Sequence, residues 1–195
     1  MTVLVACEYS GRVRDALLDE GIYAVSCDLL PSESDRGPHI QGDVEEVLQQ
    51  EWDMVIAHPP CTYLANSGVR WRVERNEWKE VAQAARFFKA CLNANAPYVA
   101  VENPVMHKYG REIVGRRPDF TVQPWMFGDP YKKRTCFWTK NLPPLVPTSD
   151  MTADDAEAQC HNEPPSKDRW KKRSTTYPKL AKAIAKQWGR ILITV

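Results

Sequence analysis

The sequence predicts an α/β fold, a mostly parallel sheet with helices on both faces, and three observations carry that prediction. Short β-branched runs alternate with segments of helical period. The runs are followed by polar clusters, namely Glu8 to Gly11, Asp28, Asp43, His58 to Cys61 and Glu102-Asn103. Glycine or proline then turns the chain, as at Gly11, Pro59-Pro60 and Pro104. In such sheets ligands bind outside the carboxyl ends of the strands, so these clusters are expected on one edge, and that edge is the expected active site.

Thr2 to Cys7 reads as the first strand, and Val13, Ala16 and Leu17 then share one helical face that stops at Gly21. Ile22 to Cys27 is the second strand. Residues 31–38 form an exposed loop, His39 to Gln41 approaches Gly42-Asp43, and a weak helix spans Val44 to Gln50. Met54 to Ala57 is the third strand, ended by His58-Pro59-Pro60-Cys61 because a proline pair cannot continue a central ladder. Trp78, Val81, Ala85, Phe88 and Leu92 recur at steps of three and four and predict a helix over 77–95. Tyr98 to Val101 is the next strand. Phe120 to Met126 and Arg134 to Thr139, separated by Gly128-Asp129-Pro130, read as a C-terminal β-hairpin. Residues 141–173 read as a long loop or small lid, and Leu180, Ile184 and Trp188 define a C-terminal helix over 177–190.

At 195 residues, 43% apolar and 26% charged, the chain can bury one core, and 1–195 is read as a single domain. Disordered and fibrous classes are excluded by composition. The longest apolar runs fall far short of the roughly 20 residues a bilayer requires, and no charged leader precedes the first strand, so a cytoplasmic protein without a membrane partner is expected. Six cysteines without a secretion signal predict free thiols. Cys160-His161 lacks a partner pair at metal-ligand spacing, so no metal is expected. Charge is uneven: residues 1–66 hold 3 Lys or Arg against 12 Asp or Glu, and residues 67–195 hold 23 against 13. The basic half suits phosphate.

Chemistry concentrates at four points. Gly11 permits a tight turn into a helix whose first N–H groups can receive an anion. Asp28, at a strand end, stands where a carboxylate holds ribose hydroxyls or caps its own loop. Pro60-Cys61 sets a thiol on a rigid turn. Glu102 ends what should be a neighbouring strand, and a thiolate beside a proton-donating carboxyl can add to a heterocycle and activate it.

In order, these motifs resemble the S-adenosylmethionine-dependent cytosine-5 methyltransferases of DNA, in a small form without the large target-recognition domain. Glu8-Tyr9-Ser10-Gly11 is similar to the family's first motif, Gly42-Asp43-Val44 to its glycine-aspartate-isoleucine, and Pro60-Cys61 with Gly68 to its catalytic loop. Val101-Glu102-Asn103-Pro104 resembles the Glu-Asn-Val motif, and Pro130 to Arg134 the segment that supports the cytosine and its phosphates. Arg12, Val13 and Arg14 stand where the family has further glycines. The resemblance implies a Rossmann-like class I methyltransferase fold. It implies S-adenosylmethionine held by Tyr9, Ser10, Gly11, Asp28, Asp43 and Pro60. It implies catalysis by Cys61, Glu102, Asn103 and Arg134, with Glu102 protonated against the ring. Phosphate contacts fall to Lys132, Lys133, Lys171, Lys172 and Arg173.

DNA is thus the first expected substrate, with a protein partner to help recognise the target. A free cytidine nucleotide is the alternative, because residues 141–173 are too few for a target-recognition domain. Methylation of an exocyclic amine through a Pro-Pro-aromatic loop is opposed by Glu102-Asn103. A non-catalytic nucleic-acid-binding accessory protein is opposed by the Cys61 and Glu102 pair.

Overall fold

The computed structural model describes residues 1–158, 166–167 and 169–194, without the side chains of Lys172 and Thr194. Cys160-His161 lies outside the described residues.

Seven strands form one sheet: β1 (Val3–Ala6), β2 (Ala24–Asp28), β3 (His39–Gln41), β4 (Met54–Ala57), β5 (Tyr98–Asn103), β6 (Phe120–Val122) and β7 (Thr135–Lys140). Their spatial order is β3-β2-β1-β4-β5-β7-β6. The first five strands are parallel, and β7 pairs antiparallel with both β5 and β6. The chain leaves β1 toward β2 on one side and returns to β4 on the other, so a crevice opens between the carboxyl ends of β1 and β4. Register aligns those ends: Ala6 lies beside Cys27 and Ala57, and Ala57 beside Val101. Glu8, His58 and Glu102 therefore leave the sheet on one edge.

Strand alternation divides the core. Val3, Val5, Met54 and Ile56 pack with Leu180, Ile184 and Trp188. Leu4, Ala6, Val55 and Ala57 join Phe88 and Trp138 on the other face. The first group belongs with α1 (Arg12–Asp19) and α7 (Pro178–Thr194), the second with α4 (Trp78–Leu92). The helices predicted at 77–95 and 177–190 are these last two. No helix among the described residues is long and apolar enough to cross a membrane.

Other elements differ from expectation. The weak helix at 44–50 shrinks to α2 (Val44–Val47), and Trp52 Nε1 donates to the Val47 carbonyl just beyond. The predicted hairpin keeps its pairing, but β6 stops at Val122 because Pro124 starts a 3₁₀ turn over Pro124–Phe127. Its second strand starts at Thr135 and inserts between β5 and β6. Short helices α3 (Val69–Glu74) and α5 (Lys108–Val114) follow the Pro-Cys and Glu-Asn motifs. The end of the predicted lid is helical, as α6 (Arg169–Ser174).

Candidate active site

The turn after β4 is built to hold Cys61 still. Its carbonyl accepts from the Leu64 and Ala65 amides at 3.0 and 2.8 Å. Asn66 N donates to the Val105 carbonyl and His107 N to that of Leu64, so the loop is stitched to the segment after β5. Buried His107 adds a side-chain tie: Nδ1 accepts from Gly110 N at 3.0 Å, so Nε2 carries the proton and donates to the Tyr63 carbonyl at 2.8 Å. Asn103 Nδ2 donates to the Pro59 carbonyl at 2.8 Å. Asn103 Oδ1 is buried without a partner among the described residues.

Cys61 is half-buried. Burial pushes its thiol up, the charge of Glu102 pushes the same way, and Lys133 and Arg173 oppose them. Cys61 and Glu102 are therefore within electrostatic reach of each other. Glu102 accepts from His58 Nδ1 at 3.2 Å, with both side chains largely buried. Burial alone would raise the Glu102 carboxyl, but the His58 hydrogen bond and the charges of Lys133 and His58 outweigh it and hold the group below its ordinary value. The expected protonated Glu102 is thus an ionised carboxylate in the free protein. The charge of His58 also reaches Glu8, which burial pushes up against the pull of His58, the Val13 and Arg14 amides and the Arg14 charge.

The anion site expected at the start of α1 is already taken. Glu8 Oε1 accepts from Val13 N at 2.6 Å and Oε2 from Arg14 N at 3.2 Å. Gly11 has φ +71°, and a β-carbon there would lie 2.6 Å from Arg14 Nη2, so this glycine packs on protein. The fully buried Arg14 guanidinium bonds Ser26 Oγ, Ser32 Oγ, the Ser34 carbonyl and Asp15, filling the space under loop 31–38. Ser10 Oγ accepts from Arg12 N. Asp28, half-buried and pushed up by burial, accepts from Leu30 N at 2.9 Å, and exposed Asp43 caps α2 through Glu45 N. Pro60 is exposed.

Tyr9, buried, is roofed by α6: its hydroxyl donates to the Lys171 carbonyl at 3.0 Å and meets Ser174 Oγ at 3.2 Å. Lys171 Nζ stands over the Tyr9 and Trp170 rings. Arg173, on the same helix, acts through its charge on Cys61. Lys171 and Arg173 are half-buried against the site, and the Lys172 side chain lies outside the described residues. Lys132 is half-buried. Arg134 is exposed and acts on Cys136, while Lys133 acts on both Cys61 and Glu102. The cation beside the expected catalytic pair is thus Lys133, which lines one small cavity with His58 and Glu102, whereas Arg134 does not. The described cysteines are all free.

A small cavity of about 10 Å³, the space of one water, is lined by His58, Glu102, Lys133, Thr135 and Tyr177 among others. A wider hollow of about 760 Å³ lies at the opposite edge of the sheet, around Asp53, Asn95 and Lys140, remote from Cys61. Sequence reasoning placed Glu8 and His58 on the expected active-site edge without giving either a role, and it missed Arg14 and His107. The available signal was position: Glu8 and His58 directly follow strands, ahead of the residues singled out.

No family model and no curated protein matches this sequence. One similar solved structure is that of a candidate DNA modification methyltransferase encoded within a prophage (E. coli). It has 14% sequence identity and a TM-score of 0.47, covering 71% of this chain and 46% of that one. The chain spans about half the length of that structure.

Proposed function

We propose that the protein is an S-adenosylmethionine-dependent methyltransferase that acts on carbon 5 of cytosine in DNA. The observation that carries this reading is the pairing of a thiol and a carboxylate, Cys61 and Glu102, at the ends of adjacent parallel strands β4 and β5. Carbon 5 of cytosine is a poor nucleophile until something adds at carbon 6. Cys61 supplies that addition. Glu102 meets the N3 and N4 edge of the base, and Lys133 stabilises the negative charge driven into the ring. Asn103 keeps the turn of Cys61 in register through Pro59. Loss of the carbon 5 proton finally expels the cysteine.

The donor set at the ends of β1, β2 and β3 fits the nucleoside and cationic sulfonium of S-adenosylmethionine: Tyr9 offers a ring, Asp28 and Asp43 offer carboxylates, and Glu8 adds negative charge. Asp28 would hold the ribose and Asp43 the adenine. The N–H groups that Glu8 occupies leave the methionine carboxylate to other partners. When bound, this cofactor supplies an electrophilic methyl group.

The test is a cytosine DNA carrying fluorine at carbon 5, incubated with S-adenosylmethionine. A covalent adduct on Cys61, found by peptide mass spectrometry and absent in Cys61→Ser, is the expected result. Full methyl transfer by Cys61→Ser would overturn the reading. A parallel incubation with cytidine nucleotides separates the free-nucleotide substrate from DNA.

A further inference from the structure

His58 has no role in the reading above, yet it is bonded to Glu102 at the centre of this edge. Its amide donates to the Ala6 carbonyl at 2.9 Å, extending the ladder between β4 and β1, so its backbone is fixed by the sheet. Nδ1 faces the Glu102 carboxylate at 3.2 Å. An ionised carboxylate only accepts, so Nδ1 carries the proton of that bond. Nε2 is buried and has no partner among the described residues. Buried polar atoms are nearly always paired, and an unpaired imidazole nitrogen at a catalytic edge calls for a ligand or a proton. An imidazole oriented through one nitrogen by a carboxylate, with the other nitrogen free, is the arrangement that general bases use.

We propose that His58 and Glu102 act as one proton acceptor that frees the Cys61 thiolate. This rests on the reading of Cys61 as the nucleophile. Glu102 holds His58 at 3.2 Å and its charge reaches Cys61. The other charges around them are Glu8 from the end of β1, which His58 acts on, Lys133 ahead of β7, which acts on both Cys61 and Glu102, and Arg173 of α6, which acts on Cys61. Burial pushes the thiol up, so without an acceptor Cys61 is a poor nucleophile at neutral pH. The step balances within the site. The S–H bond breaks and its proton passes to the pair as the S–C6 bond forms. The C5=C6 electrons move to C4–C5, those of C4=N3 move to N3, and N3 takes the proton back from the pair. Nothing else is consumed.

The experiment needs neither cofactor nor nucleic acid. The full chain is alkylated with iodoacetamide between pH 5 and 10, and Cys61 is followed by peptide mass spectrometry, with buried Cys136 as the monitor of intact folding. The wild type is expected to react with an inflection well below the free-thiol value of about 8.5, because the His58–Glu102 pair takes the proton. His58→Asn keeps an N–H donor for Glu102 but has no basic nitrogen. It should react roughly 100-fold more slowly at pH 7 and show a single rise in the thiol range, as should Glu102→Gln. A single thiol-range rise in the wild type, or an unchanged profile in His58→Asn with Cys136 still protected, overturns the proposal. An inflection below the thiol range without methyl transfer to any cytosine substrate would uphold the base and overturn the methyltransferase reading.

Discussion

The Asn103 amide donates to the Pro59 carbonyl at 2.8 Å, joining the last residue of β5 to the turn that carries Cys61. The bond fixes how two adjacent parallel strands present their terminal residues. Asn103→Ala removes a donor from a buried carbonyl and should cost about 1–3 kcal/mol of stability in urea unfolding. Cys61 alkylation should also become faster as the turn loosens. Unchanged stability together with unchanged alkylation would mean that the turn holds without it.

Arg14 makes the second test. Its guanidinium is fully buried and bonded to Ser26, Ser32, Ser34 and Asp15, so truncation leaves several buried polar groups unpaired. Arg14→Ala should lose about 3–5 kcal/mol, the range for breaking one side of a buried ion pair. Limited proteolysis should then cut within residues 31–38. A stable, uncut variant would count against this anchoring role.

Glu8 and Glu102 should make opposite contributions to the pH dependence of stability. Glu102 is held below its ordinary value, so its stabilisation is present above the unfolded value of about 4.3 and is lost as pH falls through its folded value. Glu8 is held above its ordinary value, so it weakens the fold as pH rises from about 4.3 through its folded value. Denaturant unfolding from pH 3 to 7 should show that Glu102→Gln removes a gain with rising pH. Glu8→Gln should remove a loss. The same sign in both variants would refute the assignment.

How much of this was legible in the sequence depended on whether the signal was local. β1, β4 and β5 announce themselves as apolar runs because a central parallel strand is buried on both faces. α4 and α7 do so through a stripe of period 3.6. β3 has no such signal: Ile40 and Gln41 are exposed, and the strand exists because His39 to Gln41 pairs with Ser26 to Asp28. α6 is basic throughout apart from Trp170 and Ser174, and its placement comes from contacts with Tyr9, more than 160 positions away. The ordered motifs located Cys61 and Glu102, but the ionised state of Glu102 follows from His58 and Lys133, which no spacing in the sequence links to it. Arg14 sits in a stretch read for glycines, and only the fold reveals that its side chain points inward.

The final prediction separates two neighbouring cations that the sequence treats alike. Lys133 acts on the Cys61 thiol and the Glu102 carboxylate, and it stands over the Tyr177 ring at 5.9 Å. Arg134 is exposed and acts on Cys136 instead. If the two serve different steps, their variants should fail differently. Lys133→Ala removes a positive charge that favours both the thiolate and the ring-bound negative charge, so kcat for methyl transfer should fall by about 100-fold, the typical loss for one electrostatic donor. Binding of DNA should keep most of its salt dependence. Arg134→Ala should leave kcat near the wild-type value while the slope of log affinity against log salt falls by about 0.9, the effect of one lost phosphate contact on duplex DNA. The decisive measurement is the pair of profiles together, kcat at saturating DNA and affinity from 50 to 200 mM salt. A loss of kcat in Arg134→Ala with none in Lys133→Ala would return the catalytic cation to position 134 and overturn the assignment made from the geometry.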